Sequence, residues 1–327
     1  MKKVILILLA LLIITGCSSE NVESSDDSTI KIGVLQLMDH ESLNSAYEGF
    51  KDALKDNGYD ETKVSFEYQN PNNDKSALAT MAQFLVNQEC ELILAIGTGA
   101  AQALQQETVD IPILGTAITD YVDVGLVASN ENPGSNISGS SDYVDMAIQM
   151  DLIERFIPNV KTVGLIYTSS EENSIIQAEA MKEECAKRGW TVVEKTISDL
   201  TMVNDTMMSF VGEIDALYIP TDNPLASSMA SVDIVAKENK IPVFVGWDSG
   251  VSDGALASIG INYYDLGYKT GENAVKILNG EVNISEMPVY FMDGESATVY
   301  YNSETAESIE IEIPEDILTK GSDLSQK

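Results

Sequence analysis

Histidine is almost absent: His40 is the only one in 327 residues. That excludes a metal site built on histidines, and a Ser-His-Asp apparatus would have to use His40, yet no G-x-S-x-G elbow occurs. Cysteine is scarce too, at Cys17, Cys90 and Cys185. Cys90 and Cys185 fall one in each half of the chain, and both read as reduced and buried rather than bridged. Positive charge is the third shortage, with 19 basic residues against 52 acidic ones and a net charge of −33. Nucleic acids and anionic lipid surfaces need a basic face, so both are argued against as partners, and the charge itself reads as solubility. No G-x-x-x-x-G-K-[ST] loop is present, and "GTGAAQ" (97–102) lacks the third glycine of a dinucleotide fingerprint. No cofactor, no metal and no enzyme chemistry is expected.

The longest apolar run, Val4 to Ile14, is also short. It falls well below the roughly 20 residues needed to cross a bilayer, and after Lys2 and Lys3 it reads as the core of a signal peptide spanning 1–16. Ile14-Thr15-Gly16-Cys17 resembles a bacterial lipobox, which implies that Cys17 is acylated and the protein anchored outside the cytoplasm. The other reading is an ordinary signal peptide with an incidental cysteine. Residues 17–29, rich in serine and acid, cannot bury enough surface to fold and read as a solvated tether.

From Ile30 short apolar runs alternate with helix-period segments. Strands are expected at 30–37, 63–69, 91–96 and 111–116, and again at 162–168, 191–197, 215–220 and 241–246. Helices are expected between them, at 42–57, 74–88 and 99–106, then at 145–156, 174–188, 202–211 and 225–240. Another is expected at 265–278, with closing strands from 288 to 313. Continuously apolar strands separated by helices indicate parallel sheets covered on both faces, and two such sets indicate an α/β protein of two doubly wound lobes.

In parallel α/β sheets ligands bind beyond the carboxyl ends of the strands, which singles out 36–40, 97–102, 116–120, 168–174, 221–223 and 246–248. Thr98 and Asn173-Ser174 sit at helix starts, where free N–H groups suit a carboxylate, but both also suit plain capping. Asp222 and Asp248 suit an ammonium; equally, Asp222 caps the helix that follows and Asp248 shapes a turn.

Six ordered segments, "GVLQLMDHESLNSAYEGFKDAL", "ELILAIGTGAAQAL", "DIPILGTAITD", "VGLIYTSSEENS", "YIPTDN" and "YYDLGYKTGENAVKIL", resemble the ABC-transporter substrate-binding lipoproteins that include tryptophan- and tyrosine-binding members. The resemblance implies a type I periplasmic-binding-protein fold with a hinge, and a monomer that delivers an amino acid, usually aromatic, to a membrane permease. It implies lobes of 30–141 with about 262–287, and 142–261 with about 288–320. Hinge strands would pass near Gly139 to Tyr143, Gly260 to Tyr263 and around Pro288. The ligand contacts it implies are Gln36 and His40; Thr98, Ala100 and Ala101; Thr116, Thr119 and Asp120; Glu172, Asn173 and Ser174; Thr221, Asp222 and Asn223; and Asp248. The chain departs from the pattern at Gly99 and Trp247. Rival expectations are another solute on the same fold, such as a nucleoside or sugar, and a surface adhesin or sensor without a transport role.

Overall fold

The computed structural model describes residues 29–291 and 297–325. Strand β1 (Ile30–Gln36) leads into α1 (Glu41–Asp56), β2 (Val64–Gln69), α2 (Lys75–Val86), β3 (Leu92–Ile96), α3 (Thr98–Glu107), β4 (Ile113–Ile118) and β5 (Ile137–Ser141). The alternation restarts with α4 (Met146–Phe156), β6 (Thr162–Thr168), α5 (Glu172–Arg188), β7 (Thr191–Ile197), α6 (Val203–Met208) and β8 (Ala216–Ile219). It continues through α7 (Asn223–Ala226), α8 (Met229–Asn239), β9 (Val243–Val245), α9 (Ser249–Ser252), β10 (Ala257–Gly260) and α10 (Tyr263–Leu278). After β11 (Tyr290–Phe291) and β12 (Thr298–Tyr301) come α11 (Ser303–Ser308), α12 (Glu315–Lys320) and β13 (Ser322–Asp323).

Two sheets result, one per lobe. The first runs β2-β1-β3-β4-β5-β11 and is parallel throughout. The second runs β7-β6-β8-β9-β10-β12-β13, with β12 antiparallel to β10. Every residue of β3, β4 and β8 is buried, because helices cover both faces of a parallel sheet. Both lobes share the strand order 2-1-3-4-5, in which the chain reverses direction between the first and third strands. That reversal opens a crevice at the carboxyl ends of β1 and β3 in one lobe, and of β6 and β8 in the other.

Helix α10 returns to the first lobe and packs along α1 at backbone distance. A methyl group on Gly49 would lie 2.0 Å from the Tyr264 carbonyl oxygen, and one on Gly267 would lie 1.9 Å from that of Ala46. Only glycine permits this approach. Cys90 and Cys185 are free thiols, both buried.

The structure departs from the sequence reading in three places. The expected helix 225–240 breaks at Ser227 and Ser228 into α7 and α8; the Ser227 hydroxyl donates to the Pro224 carbonyl (2.7 Å) in place of a continuing ladder. The tail holds α11 where closing strands were expected, because Asn302 accepts from the Thr305 N–H (2.8 Å) and starts a helix. Strand β11 joins the first sheet beside β5, so the chain returns to the second sheet after Phe291, beyond the expected residue 288.

Candidate functional site

The two crevices face each other and side chains bridge them directly. His40 Nε2 lies 3.3 Å from Asn223 Oδ1, and the Thr119 and Thr221 hydroxyls lie 3.0 Å apart. The Ser42 and Ser249 hydroxyls meet at 2.8 Å, and Gln102 Nε2 donates to Glu172 Oε2 at 2.6 Å. Between them lies a cavity of about 20 Å3, lined among others by His40, Thr119, Asp142, Asn223, Trp247 and Tyr263. Asn173 also lines a wider cavity of about 400 Å3, whose walls include Leu37, Leu78, Thr98, Gly99 and Glu171. A groove of about 620 Å3 between α10 and β11 lies away from both crevices and their polar groups.

Four elements position the polar groups. A bulge in β4 between Gly115 and Ile118 holds Ala117 in the left-handed region at φ +55°, turning Ala117 and Thr119 toward the cavity. Asp142 follows β5 and is 6 % exposed. Tyr263, the first residue of α10, donates its hydroxyl to Asp142 Oδ2 at 2.7 Å, while Oδ1 makes no hydrogen bond of good geometry among the described residues, the Thr119 hydroxyl acting on the carboxyl from nearby. Burial pushes the Asp142 carboxyl above its usual range, against the Tyr263 and Thr119 hydroxyls, which pull it down. His40 occupies the N-cap position of α1 without a capping bond from its side chain; burial lowers it to about 4, so it is neutral, and its Nδ1 has no partner among the described residues. Gln36 spends its Nε2 on Met38 O (2.9 Å) and Asn44 Oδ1 (2.7 Å), leaving Oε1 buried and unpaired. Buried Trp247 likewise has an unpaired Nε1, and its ring fits only because Gly250 lacks a side chain.

Around Asp222 the second lobe pairs its own polar groups. Asp222 accepts from the Thr168 N–H (2.7 Å), the Thr168 hydroxyl (2.8 Å), the Ser174 hydroxyl (2.9 Å) and the Leu225 N–H (3.0 Å). Asn173 Nδ2 donates to the Thr221 carbonyl at 2.6 Å, and the single Ser174 hydroxyl hydrogen is shared between that carbonyl (3.0 Å) and Asp222. Gln177 Nε2 donates to the Thr221 hydroxyl. Buried Glu171 accepts from Asn223 Nδ2 at 2.6 Å; burial, then the Asp222 charge, raises it to about 7. Among the described residues, the unpaired side-chain atoms lining the small cavity are Asp142 Oδ1, His40 Nδ1 and Trp247 Nε1, the last a donor.

Residues 31–324 match the model of the ABC transporter substrate binding protein family. The chain belongs to that family. It is 41 % identical over 308 residues to a tyrosine-binding protein of Clostridioides difficile (strain R20291), covering 91 % of this chain and 88 % of that one. Among solved structures it resembles an ABC domain from Streptococcus pneumonia in complex with L-Trp (TM-score 0.86, 35 % identity, 90 % of this chain and 99 % of that one). It also resembles a ligand-free, open substrate binding protein with adhesive properties from Clostridium difficile (TM-score 0.70, 43 % identity, 91 % and 100 %). The better superposition falls on the L-Trp complex although the open protein is nearer in sequence, in keeping with the direct bonds across this cleft.

Within this substrate-binding fold the sequence-derived residues separate into groups. His40, Thr119, Asn173, Thr221, Asp222 and Asn223 line the small cavity, and Thr98, Glu172 and Asn173 line the wider one. Ala100 and Ala101 do not reach either: their side chains are core, and both N–H groups bond to the Gly97 carbonyl (3.1 and 3.3 Å). Asp120 is a turn residue, its Oδ1 accepting from the Val122 and Asp123 N–H groups at 2.9 Å each. Thr116 is buried in β4 with an unpaired hydroxyl. Asp248 starts α9 and accepts from the Ser249 N–H (2.8 Å). Asp142, Glu171, Gln177 and Tyr263 were missed. The signal that could have found Asp142 is its place directly after "ISGSS", a strand too rich in serine and glycine to read as one.

Proposed function

We propose that this protein is the extracytoplasmic receptor of an ABC importer, anchored through lipid on Cys17, and that it binds a free L-amino acid with an aromatic side chain between its lobes. The ligand leaves chemically unchanged, to a membrane permease. Sheet membership supports lobe limits of 30–141 with 262–291, and 142–261 with the chain from residue 298.

The observation that carries the reading is the unpaired oxygen of Asp142, buried in the same small cavity that neutral His40 lines. A carboxylate short of donors, facing an acceptor and no lysine or arginine among its cavity neighbours, suits an ammonium, which brings three N–H groups. Sugars and neutral nucleosides bring no cation. Asp222, already holding four hydrogen bonds, is assigned to scaffolding. The ligand carboxylate is assigned to the start of α3 at Thr98 and Gly99, and the ring to the wider cavity along Leu37 and Leu78, whose volume lies in the range of small-molecule pockets. The tyrosine-binding relative and the L-Trp complex favour the same ligand class. Opening admits the ligand; closure excludes water and strengthens the charged contacts.

A thermal-shift screen of aromatic amino acids, sugars and nucleosides tests this. A true ligand at 100 times its dissociation constant adds about 2.7 kcal/mol of stability. Stabilisation by tyrosine or tryptophan is expected, and a response confined to sugars or nucleosides would overturn the assignment.

A further inference from the structure

We propose that His40 Nδ1 accepts a hydrogen bond from the bound ligand, and that Asn223 and Glu171 are positioning residues that fix it in this role from the opposite lobe. The proposal deepens the amino-acid reading and rests on it. The logic is one of hydrogen-bond polarity. Glu171 Oε2 takes one end of the Asn223 amide, accepting from Nδ2 at 2.6 Å. The other end, Oδ1, therefore faces His40 Nε2, at 3.3 Å. An amide oxygen only accepts, so Nε2 carries the hydrogen. A neutral imidazole has a single N–H, which leaves Nδ1 a bare acceptor.

Two further facts support the chain of polarity. Burial keeps His40 neutral, against the hydrogen bond of Asn223 and the charge of Asp39, both of which favour the cation. Around Glu171, Asp222 repels a second negative charge while Lys75 attracts it. While Glu171 is ionised its carboxylate can only accept, and that holds the Asn223 amide in this orientation. Nδ1 is buried without a partner and His40 lines the small cavity together with Asp142. A buried acceptor left unpaired costs about 1–3 kcal/mol, so a ligand bringing an N–H or O–H to this point is preferred over one that does not. The second lobe thereby sets the acceptor polarity of a first-lobe side chain, and closure completes the site. The donor on the ligand is its ammonium, the group assigned to the small cavity that His40 and Asp142 both line.

The chain's single histidine makes the test direct. Protein labelled with 15N-histidine gives one imidazole, whose nitrogen signals separate the tautomers. A pyrrole-type Nε2 and a pyridine-type Nδ1 are expected at pH 7, with the Nδ1 signal moving when L-tyrosine or L-tryptophan binds. L-phenylalanine checks the source: movement with all three is expected, and movement with tyrosine and tryptophan alone would overturn the ammonium as the donor. In Asn223→Leu both tautomers should appear and affinity should drop roughly tenfold, the value of one modest hydrogen bond. An Nδ1–H tautomer in the wild type, or an Nδ1 signal indifferent to a ligand that calorimetry shows bound, would overturn the role of His40. No calorimetric binding of any of the three would overturn the ligand class itself.

Discussion

Two buried aspartates in one cleft differ in how their oxygens are used, and on the proposed reading that difference separates scaffold from ligand group. Both oxygens of Asp222 accept bonds from its own lobe, including two backbone N–H groups, whereas Asp142 Oδ1 has no partner. Asp222→Ala strands three buried donors, Ser174 keeping the Thr221 carbonyl, so unfolding in urea should show a loss of about 3 kcal/mol or more. Titration adds a second expectation. Glu171, raised to about 7, stabilises the fold fully below its ordinary value near 4.5, and that contribution is lost as pH rises through 7. Glu171→Gln should therefore match the wild type at pH 4.5 and exceed it at pH 8, by up to about 3 kcal/mol for a shift of this size. Equal stability at both pH values would contradict the buried, repelled state of Glu171. His40, lowered to about 4, has the opposite sign: its contribution is present above 6.5 and is lost as pH falls toward 4. At this scale the sequence was partly legible. The polar residue after β8 was visible as unusual, but the donors that converge on Asp222 come from Thr168 and Ser174, about fifty residues away, and no local pattern shows them.

Secondary elements were more legible than side-chain roles, for a physical reason. Strands buried on both faces, such as Leu92–Ile96 and Thr162–Thr168, read as unbroken apolar runs, and the amphipathic α1 ends just before Gly58 as its periodicity implies. Strands near β5 and β10 were expected only through the family resemblance, because "ISGSS" and "ASIG" carry too little apolar bulk to read as strands by themselves. The break between α7 and α8 was hidden by helix-compatible residues on both sides. Helices α1 and α10 give the sharpest prediction at this scale. Gly49→Ala places a methyl group against the Tyr264 carbonyl, with no flexible side chain to yield. Pushing the helices apart should cost about 1–3 kcal/mol in a denaturation experiment, whereas Gly189→Ala, with open space around it, should cost mainly the strain of its left-handed φ of +72°.

At the scale of the whole molecule, two lobes of like topology bring their switch points together, and the site exists only where they meet. Neither lobe alone presents the acceptors of Asp142 and His40 against the frame of Thr221 and Asn223. This explains why no single motif in the sequence carries the function, and why composition reaches only as far as a binding fold. The central claim is that the Asp142 carboxylate receives the ammonium of an aromatic amino acid. Isothermal titration of L-tyrosine and L-tryptophan into the wild type and into Asp142→Asn tests it most directly, because asparagine keeps an oxygen for the Tyr263 hydroxyl while removing the charge. The account predicts binding by the wild type and a loss of about 2–5 kcal/mol in the variant, roughly thirtyfold or more in dissociation constant, with folding stability largely kept. Wild-type affinity in a folded Asp142→Asn protein would contradict it.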